Sequence, residues 1–382
     1  MPALSFDLEA TSGRARAGRM RTPHGEVLTP VFMPVGTQAT VKTVMPQHVE
    51  HSGASIILAN SYHLYLRPGH RLIERAGGLH KFENWKGSML TDSGGFQVYS
   101  LSDQRKITEE GVHFQAAFDG SRHFITPEVS MEIQNALGAD IIMAFDECVP
   151  GRSSHADALA AVDRTTRWAE RCLNSHARQD DQALFGIVQG NVYHDLRQRS
   201  AEALVAMDFP GYAIGGLSVG EPKDKMYPAL SETTRQLPVH KPRYLMGVGT
   251  PEELIVGVAL GVDMFDCIQP TRFGRHGTFW TPEGRMNIKN APFREDPGPL
   301  FEGCDCFTCT EGFDRRYLHH LHRVGEILGY TLVSIHNMRF LIWLMESARK
   351  SIFAGTFPQS HQSYIPKAFW PMLDLSEATA FA

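Results

Sequence analysis

At 382 residues the chain is long enough for one large α/β barrel or two ordinary domains, and 42% hydrophobic with 21% charged residues is a globular composition. A formal charge of −5 excludes a globally basic nucleic-acid binder, so any such surface must be a local patch. Six cysteines, three clustered and three scattered singly, exclude a disulfide framework; with no signal-peptide pattern in residues 1–20 and no apolar run of about 18 residues, a soluble cytoplasmic protein is expected.

Eight short apolar runs punctuate the chain, at 30–35, 55–59, 88–91, 140–145, 184–188, 212–214, 243–247 and 262–267. Amphipathic helical stretches separate them. Thr126-Pro127-Glu128 opens one that runs to Leu137 and stops at Gly138. Others are predicted at 155–176, 193–206, 224–236 and 251–260. Continuous apolar strands alternating with helices imply a parallel sheet covered on its outer face, and eight of them predict a closed (β/α)₈ TIM barrel. An open doubly wound sheet is the alternative; no glycine-rich phosphate fingerprint follows the first strand, which counts against it.

Two segments break the repeat. Residues 112–125 alternate apolar and polar around Asp119-Gly120, the mark of a hairpin. From 277 to about 357 comes an insertion with Cys304-Asp305-Cys306-Phe307-Thr308-Cys309, a predicted helix at 316–328 and a longer one at about 335–354. This divides the chain into a barrel at 1–276, a zinc-binding lobe packed on it at 277–357, and a C-terminal tail at 358–382. Three thiols within six residues suit Zn²⁺, with reduced unliganded thiols as the bland alternative. A histidine would complete the tetrahedron; His319, His320, His322 and His336 are the candidates, and local spacing favours the first two.

A barrel of this kind builds its active site from the C-terminal ends of its strands. There stand Asp92 after the third strand, Asp146 after the fourth and Asp266 at the end of the eighth. Carboxylates brought together suit a reaction at a sugar anomeric carbon, one attacking while another moves the leaving group's proton. A third carboxylate, with Gln189 and backbone groups at glycines, suits the edge of a purine-like base, and Phe96 and Met246 could flank its faces. Each acid taken singly could be a helix cap or a strand-end ion pair; six agreeing strand ends argue otherwise.

Thr91-Asp92-Ser93-Gly94-Gly95-Phe96-Gln97, Phe145-Asp146-Glu147-Cys148, Gly215-Gly216-Leu217-Ser218-Val219-Gly220-Glu221 and Asp266-Cys267-Ile268-Gln269-Pro270-Thr271-Arg272 together resemble the tRNA-guanine transglycosylases, or queuine tRNA-ribosyltransferases, of the bacterial type. The resemblance covers residues 14–353. It implies a zinc-bearing barrel enzyme that exchanges the wobble guanine of U-G-U anticodons, in tRNAs for Asp, Asn, His and Tyr, for a 7-deazaguanine. By the resemblance, Asp266 is the nucleophile and Asp92 the general acid/base. Asp146, Gln189, Gly216 and Leu217 read the base, and His336 is the fourth zinc ligand beside Cys304, Cys306 and Cys309, in a closed structural site. Cys148 and Val219, where queuine users have glycine, imply the smaller 7-aminomethyl-7-deazaguanine. Phe96 departs from the family's tyrosine and Ser218 from its alanine. The resemblance also implies a homodimer; the tRNA reading requires a local basic surface, expected at Arg272, Arg275, Arg285 and Lys289. Within the family, a queuine- or archaeosine-precursor-specific enzyme is the alternative. A metal-dependent barrel hydrolase would need His-x-His after an early strand, which residues 30–37 lack, and a silent RNA-binding partner would lack Asp92 or Asp266.

Overall fold

The computed structural model describes residues 2–95 and 105–375. Eight parallel strands close into a barrel. In chain order they are β4 (Val31–Gly36), β5 (Ile56–Ala59), β6 (Ser88–Thr91), β10 (Ile141–Met143), β11 (Ala183–Val188), β12 (Gly211–Ile214), β13 (Arg243–Leu245) and β14 (Met264–Cys267), and β14 pairs back onto β4 through Met264↔Val31 and Asp266↔Met33. Every strand falls on one of the eight predicted runs. Alternation explains why these runs are apolar throughout: Met33, Val35, Ile56, Leu58, Leu90, Ile141 and Phe185 fill the barrel interior, while Phe32, Ile57, Met89 and Ile142 face the helices. The three carboxylates Asp92, Asp146 and Asp266 stand at or just past the C-terminal ends of their strands.

The helices obey their local signals. Thr126 caps Pro127–Leu137 by accepting a hydrogen bond from Val129 N–H, and Gly138 ends it in the left-handed conformation at φ 77°. Thr250 and Glu253 form a reciprocal capping box on Pro251–Ala259.

Three features depart from the sequence reading. An antiparallel sheet of β1 (Ser5–Ser12), β2 (Ala15–Thr22) and β3 (Gly25–Thr29) precedes the barrel and was not anticipated. Its Met20 and Val27, with Ala3 and Leu4, join the interior cluster. A buried ion pair from Arg16 Nε to Asp263 Oδ1, 3.1 Å, fastens it to the segment entering β14. Second, the hairpin around Asp119-Gly120, formed by β8 (Val112–Gln115) and β9 (Arg122–Ile125), gains a third strand, β7 (Arg105–Ile107). Third, the helix expected at 316–328 is Arg315–Val324, stopped by Gly325 at φ 81°, and the helix expected from about 335 already starts at Ile327. Gly329 makes the early start possible: a Cβ there would lie 2.8 Å from that of Leu321.

The helix Ile327–Phe353 links the two parts of the structure. Leu332 and Val333 join a separate small core with Phe279, Ile288 and Leu318, while residues from Ile335 to Ile352 join the main core around the barrel. It is the single described helix long and apolar enough to cross a membrane, and 67% of its apolar window is buried in the protein.

Candidate active site

Asp92, Asp146 and Asp266 line one cavity of about 470 Å³ at the C-terminal end of the barrel. Each is held by donors from a different element. The helix Ser61–Leu66 offers its first turn to Asp92: Ser61 N–H donates to Oδ1 at 2.9 Å and Ser61 Oγ at 3.1 Å, while Asn60 Nδ2 donates to Oδ2. Burial outweighs these donors, and the nearby Asp266 and Asp146 carboxylates add to it, so Asp92 is pushed up to about 7. It can hold or release a proton at neutral pH.

Asp266 accepts the Tyr244 hydroxyl at 2.6 Å and Gly247 N–H at 2.7 Å, both on Oδ1. Oδ2 accepts no hydrogen bond among the described residues. Burial raises the acid's pKa, and these two donors oppose it. A carboxylate tethered by one oxygen and open at the other has the geometry that nucleophilic attack requires. Cys148 and Cys267 also line the cavity, but burial pushes each thiol up to about 12, so neither supplies a thiolate.

Asp146 belongs to the opposite wall. Ser93 Oγ donates to its Oδ1 and Gln189 Nε2 to its Oδ2, both at 2.6 Å. Gly216, at φ 63°, is required beside it, because a Cβ there would come within 2.3 Å of Gln189 Oε1. Leu217, Val219 and Met246 complete the expected lining. Phe96 lies outside the described residues.

Past β14 the chain turns into the helix Gln269–His276, which carries Arg272 and Arg275; Arg285 follows in the short strand Gly284–Asn287, and Lys289 lies just beyond. Arg272, Arg285 and Lys289 are exposed and Arg275 is half-buried. Among the described residues none of the four pairs with a carboxylate, whereas Arg315 and Arg316 of the lobe are engaged by Asp296 and Asp314. The Arg285 guanidinium lies 5.7 Å from the centre of the Phe273 ring.

The cysteine cluster lies apart from this cavity. Cys304, Cys306, Cys309 and His336 bring their ligand atoms within 4.8 Å of one another. His336 Nδ1 is 3.5, 3.6 and 3.6 Å from the three sulfurs. A tetrahedral zinc at its usual bond lengths separates sulfur from nitrogen by about 3.6 Å, so the set fits that ion. The other ring nitrogen, Nε2, donates to the Trp280 carbonyl at 2.8 Å, which leaves Nδ1 as the ligating lone pair. His336 is fully buried in mid-helix, not at a helix start, while His319 and His322 bond the carbonyls of Ile288 and Gly329 instead.

A family model described as "Queuine tRNA-ribosyltransferase" matches residues 10–369. The chain belongs to this family. Relatives bearing that name include one from Symbiobacterium thermophilum, 58% identical over 92% of this chain and 88% of its own. Another from Caldanaerobacter subterraneus is 56% identical over 97% and 99%, and one from Bacillus subtilis 57% over 91% of each.

For this queuine tRNA-ribosyltransferase family member, sequence reasoning missed the residues that hold the buried carboxylates. Asn60 and Ser61 cradle Asp92, Tyr244 tethers Asp266, and Lys42 and His63 stand at the mouth. Asn60 carried a signal, an N-cap residue directly after a strand end; Tyr244 carried none, reading as one more apolar strand residue. Ser218, the departure from the family's alanine, adopts φ 60°, and Glu221 accepts its N–H and that of Val219.

Proposed function

We propose that this protein exchanges guanine at the wobble position of tRNAs for Asp, Asn, His and Tyr for 7-aminomethyl-7-deazaguanine, a step of queuosine biosynthesis, by double displacement. The observation that carries the reading is the pairing in one cavity of a carboxylate open on one oxygen, Asp266, with an acid poised near neutrality, Asp92. Asp266 Oδ2 attacks the ribose anomeric carbon as the glycosidic bond to guanine breaks, and Asp92 gives its proton to the departing base. The entering base returns a proton to Asp92 while its nitrogen attacks the same carbon and frees the Asp266 carboxylate, so retention follows from two inversions. Asp146, Gln189 and the backbone at Gly216 and Leu217 read the base edge, with Phe96 and Met246 against its faces. Cys148 and Val219 narrow the pocket to the aminomethyl base.

Arg272, Arg275, Arg285 and Lys289 bind phosphates flanking the flipped guanosine. Cys304, Cys306, Cys309 and His336 hold one zinc whose four ligands leave no open position, so it supplies folding energy to a lobe at 277–357, attached to a barrel at 1–276 and followed by a tail at 358–382. A homodimer is supported by exposed Tyr317, Val324, Ile327 and Leu328 on that lobe, beside a run of ring contacts from His48 through Phe307 and Phe313 to Tyr317. With tRNA as substrate, we assign the protein to the cytoplasm.

Incubation with labelled guanine and an unmodified U-G-U tRNA transcript tests the reading. Exchange by the wild type, lost in Asp266→Ala together with a covalent protein–tRNA adduct, is expected. Full exchange by Asp266→Ala would overturn it.

A further inference from the structure

The sheet β7–β9 enters the chain between β6, which Asp92 follows directly, and the helix Pro127–Leu137. Register assigns its two faces. Val112, Phe114 and Ile125 point inward and are buried. There Phe114 meets the Tyr62 ring at 5.4 Å, and the neighbouring His123 Nδ1 lies 3.0 Å from the Tyr65 hydroxyl. Both tyrosines belong to the helix whose Ser61 holds Asp92, so the sheet is fixed to the rim of the active-site mouth.

The outer face carries Lys106, His113, Gln115, Arg122 and Phe124, all exposed except Gln115, and no carboxylate. His113 and Phe124 are cross-strand partners whose rings stack 3.9 Å apart at 15°. Among the described residues neither Lys106 nor Arg122 joins an ion pair; the adjacent Glu109 is taken by Arg167. At the hairpin end Phe118, 45% exposed, carries the Arg67 guanidinium 4.2 Å above its ring.

Aromatic faces interleaved with cations and free of acids are what unpaired nucleotides bind, bases stacking and phosphates pairing. A protein surface of equal exposure would ordinarily mix both signs of charge. Around the barrel, β6 stands three strands from β14, whose following helix bears Arg272 and Arg275. The two surfaces, each carrying cations that pair with no carboxylate among the described residues, thus flank one mouth.

We propose that the outer face of β7–β9 is a second tRNA contact surface, on which an unpaired base of the substrate continues the His113–Phe124 stack while Lys106 and Arg122 take neighbouring phosphates. This rests on the tRNA reading above. The test uses the full-length enzyme, a fluorescent U-G-U tRNA transcript for anisotropy, and the exchange assay in parallel. His113→Ala/Phe124→Ala is expected to raise both Kd and KM for tRNA about tenfold, the loss of one stacked base, with kcat and the KM for the free base unchanged; Phe124→Tyr restores binding. Arg122→Glu is expected to weaken binding and flatten its salt dependence. Unchanged tRNA affinity in the double variant would overturn the proposal, as would a change in oligomeric mass alone, which would assign the face to a protein partner. If the wild type binds tRNA without exchanging guanine, the reaction reading falls while the binding arm still decides this surface.

Discussion

Removing the Tyr244 hydroxyl isolates what tethers the nucleophile. Tyr244→Phe keeps the ring, which is 1% exposed, and deletes the donor that sits 2.6 Å from Asp266 Oδ1. Burial raises the phenol far above its ordinary value, so the group is always a donor in the wild type. A hydrogen bond to a charged acceptor contributes about 1.5–3 kcal/mol, or about 10- to 150-fold in the equilibrium between carboxylate and acid. Because Gly247 N–H still serves Oδ1, the lower end applies. The sign follows from which form attacks: only the carboxylate does, the lost donor had favoured it, and so the pKa of Asp266 rises. The acidic limb of kcat/KM for labelled-guanine exchange should therefore move up by about one pH unit, with about a tenfold loss below it and recovery toward wild type at higher pH. The melting temperature, measured alongside, controls for packing. An unmoved acidic limb, or a loss equal at every pH, would refute the reasoning.

Asp92→Asn should cut exchange by roughly 10²- to 10⁴-fold. In wild type, single-turnover release of guanine should fall as pH rises through about 7, where Asp92 loses the proton it must donate, while uptake of the entering base rises over the same range. Cys306→Ser should lower bound zinc below one ion per chain by metal analysis and destabilise the lobe; activity lost with the lobe still folded would argue for a catalytic metal. Cys148→Gly with Val219→Gly should raise kcat/KM for queuine relative to the aminomethyl base, measured by competition between the two. Arg272→Glu should weaken tRNA binding uniformly across substrate tRNAs and reduce the salt slope by about one, read from titrations at several ionic strengths.

Eight apolar runs, each followed by a turn and a helix, implied a helix-covered parallel sheet, because a strand buried on both faces needs a helix over it; closure into a barrel rather than an open doubly wound sheet is settled by β14 pairing back onto β4. Thr126 and Gly138 marked the ends of their helix through chemistry confined to a few neighbouring residues. The N-terminal sheet was less legible: its strands read as an irregular lead-in, and only the open lower end of the barrel gives Met20 and Val27 something to cover. The last helix began eight residues early because its limits are set by Gly329 passing Leu321, a contact between elements.

The site divides in the same way. Sequence alone was enough to bring Asp92, Asp146 and Asp266 to one mouth, since strand ends of a barrel converge whatever the details of packing, and to single out three thiols in six residues as one cluster suited to a metal. By local spacing it left the fourth ligand open among four histidines. Only the tertiary structure decided how the groups are tuned. Burial brings Asp92 near neutrality, Tyr244 and Gly247 hold one oxygen of Asp266, and the Trp280 carbonyl fixes which nitrogen of His336 is free. Each of these depends on a partner from another strand, loop or helix, and a pKa or a tautomer is set by what lies within a few ångströms, which spacing along the chain does not encode.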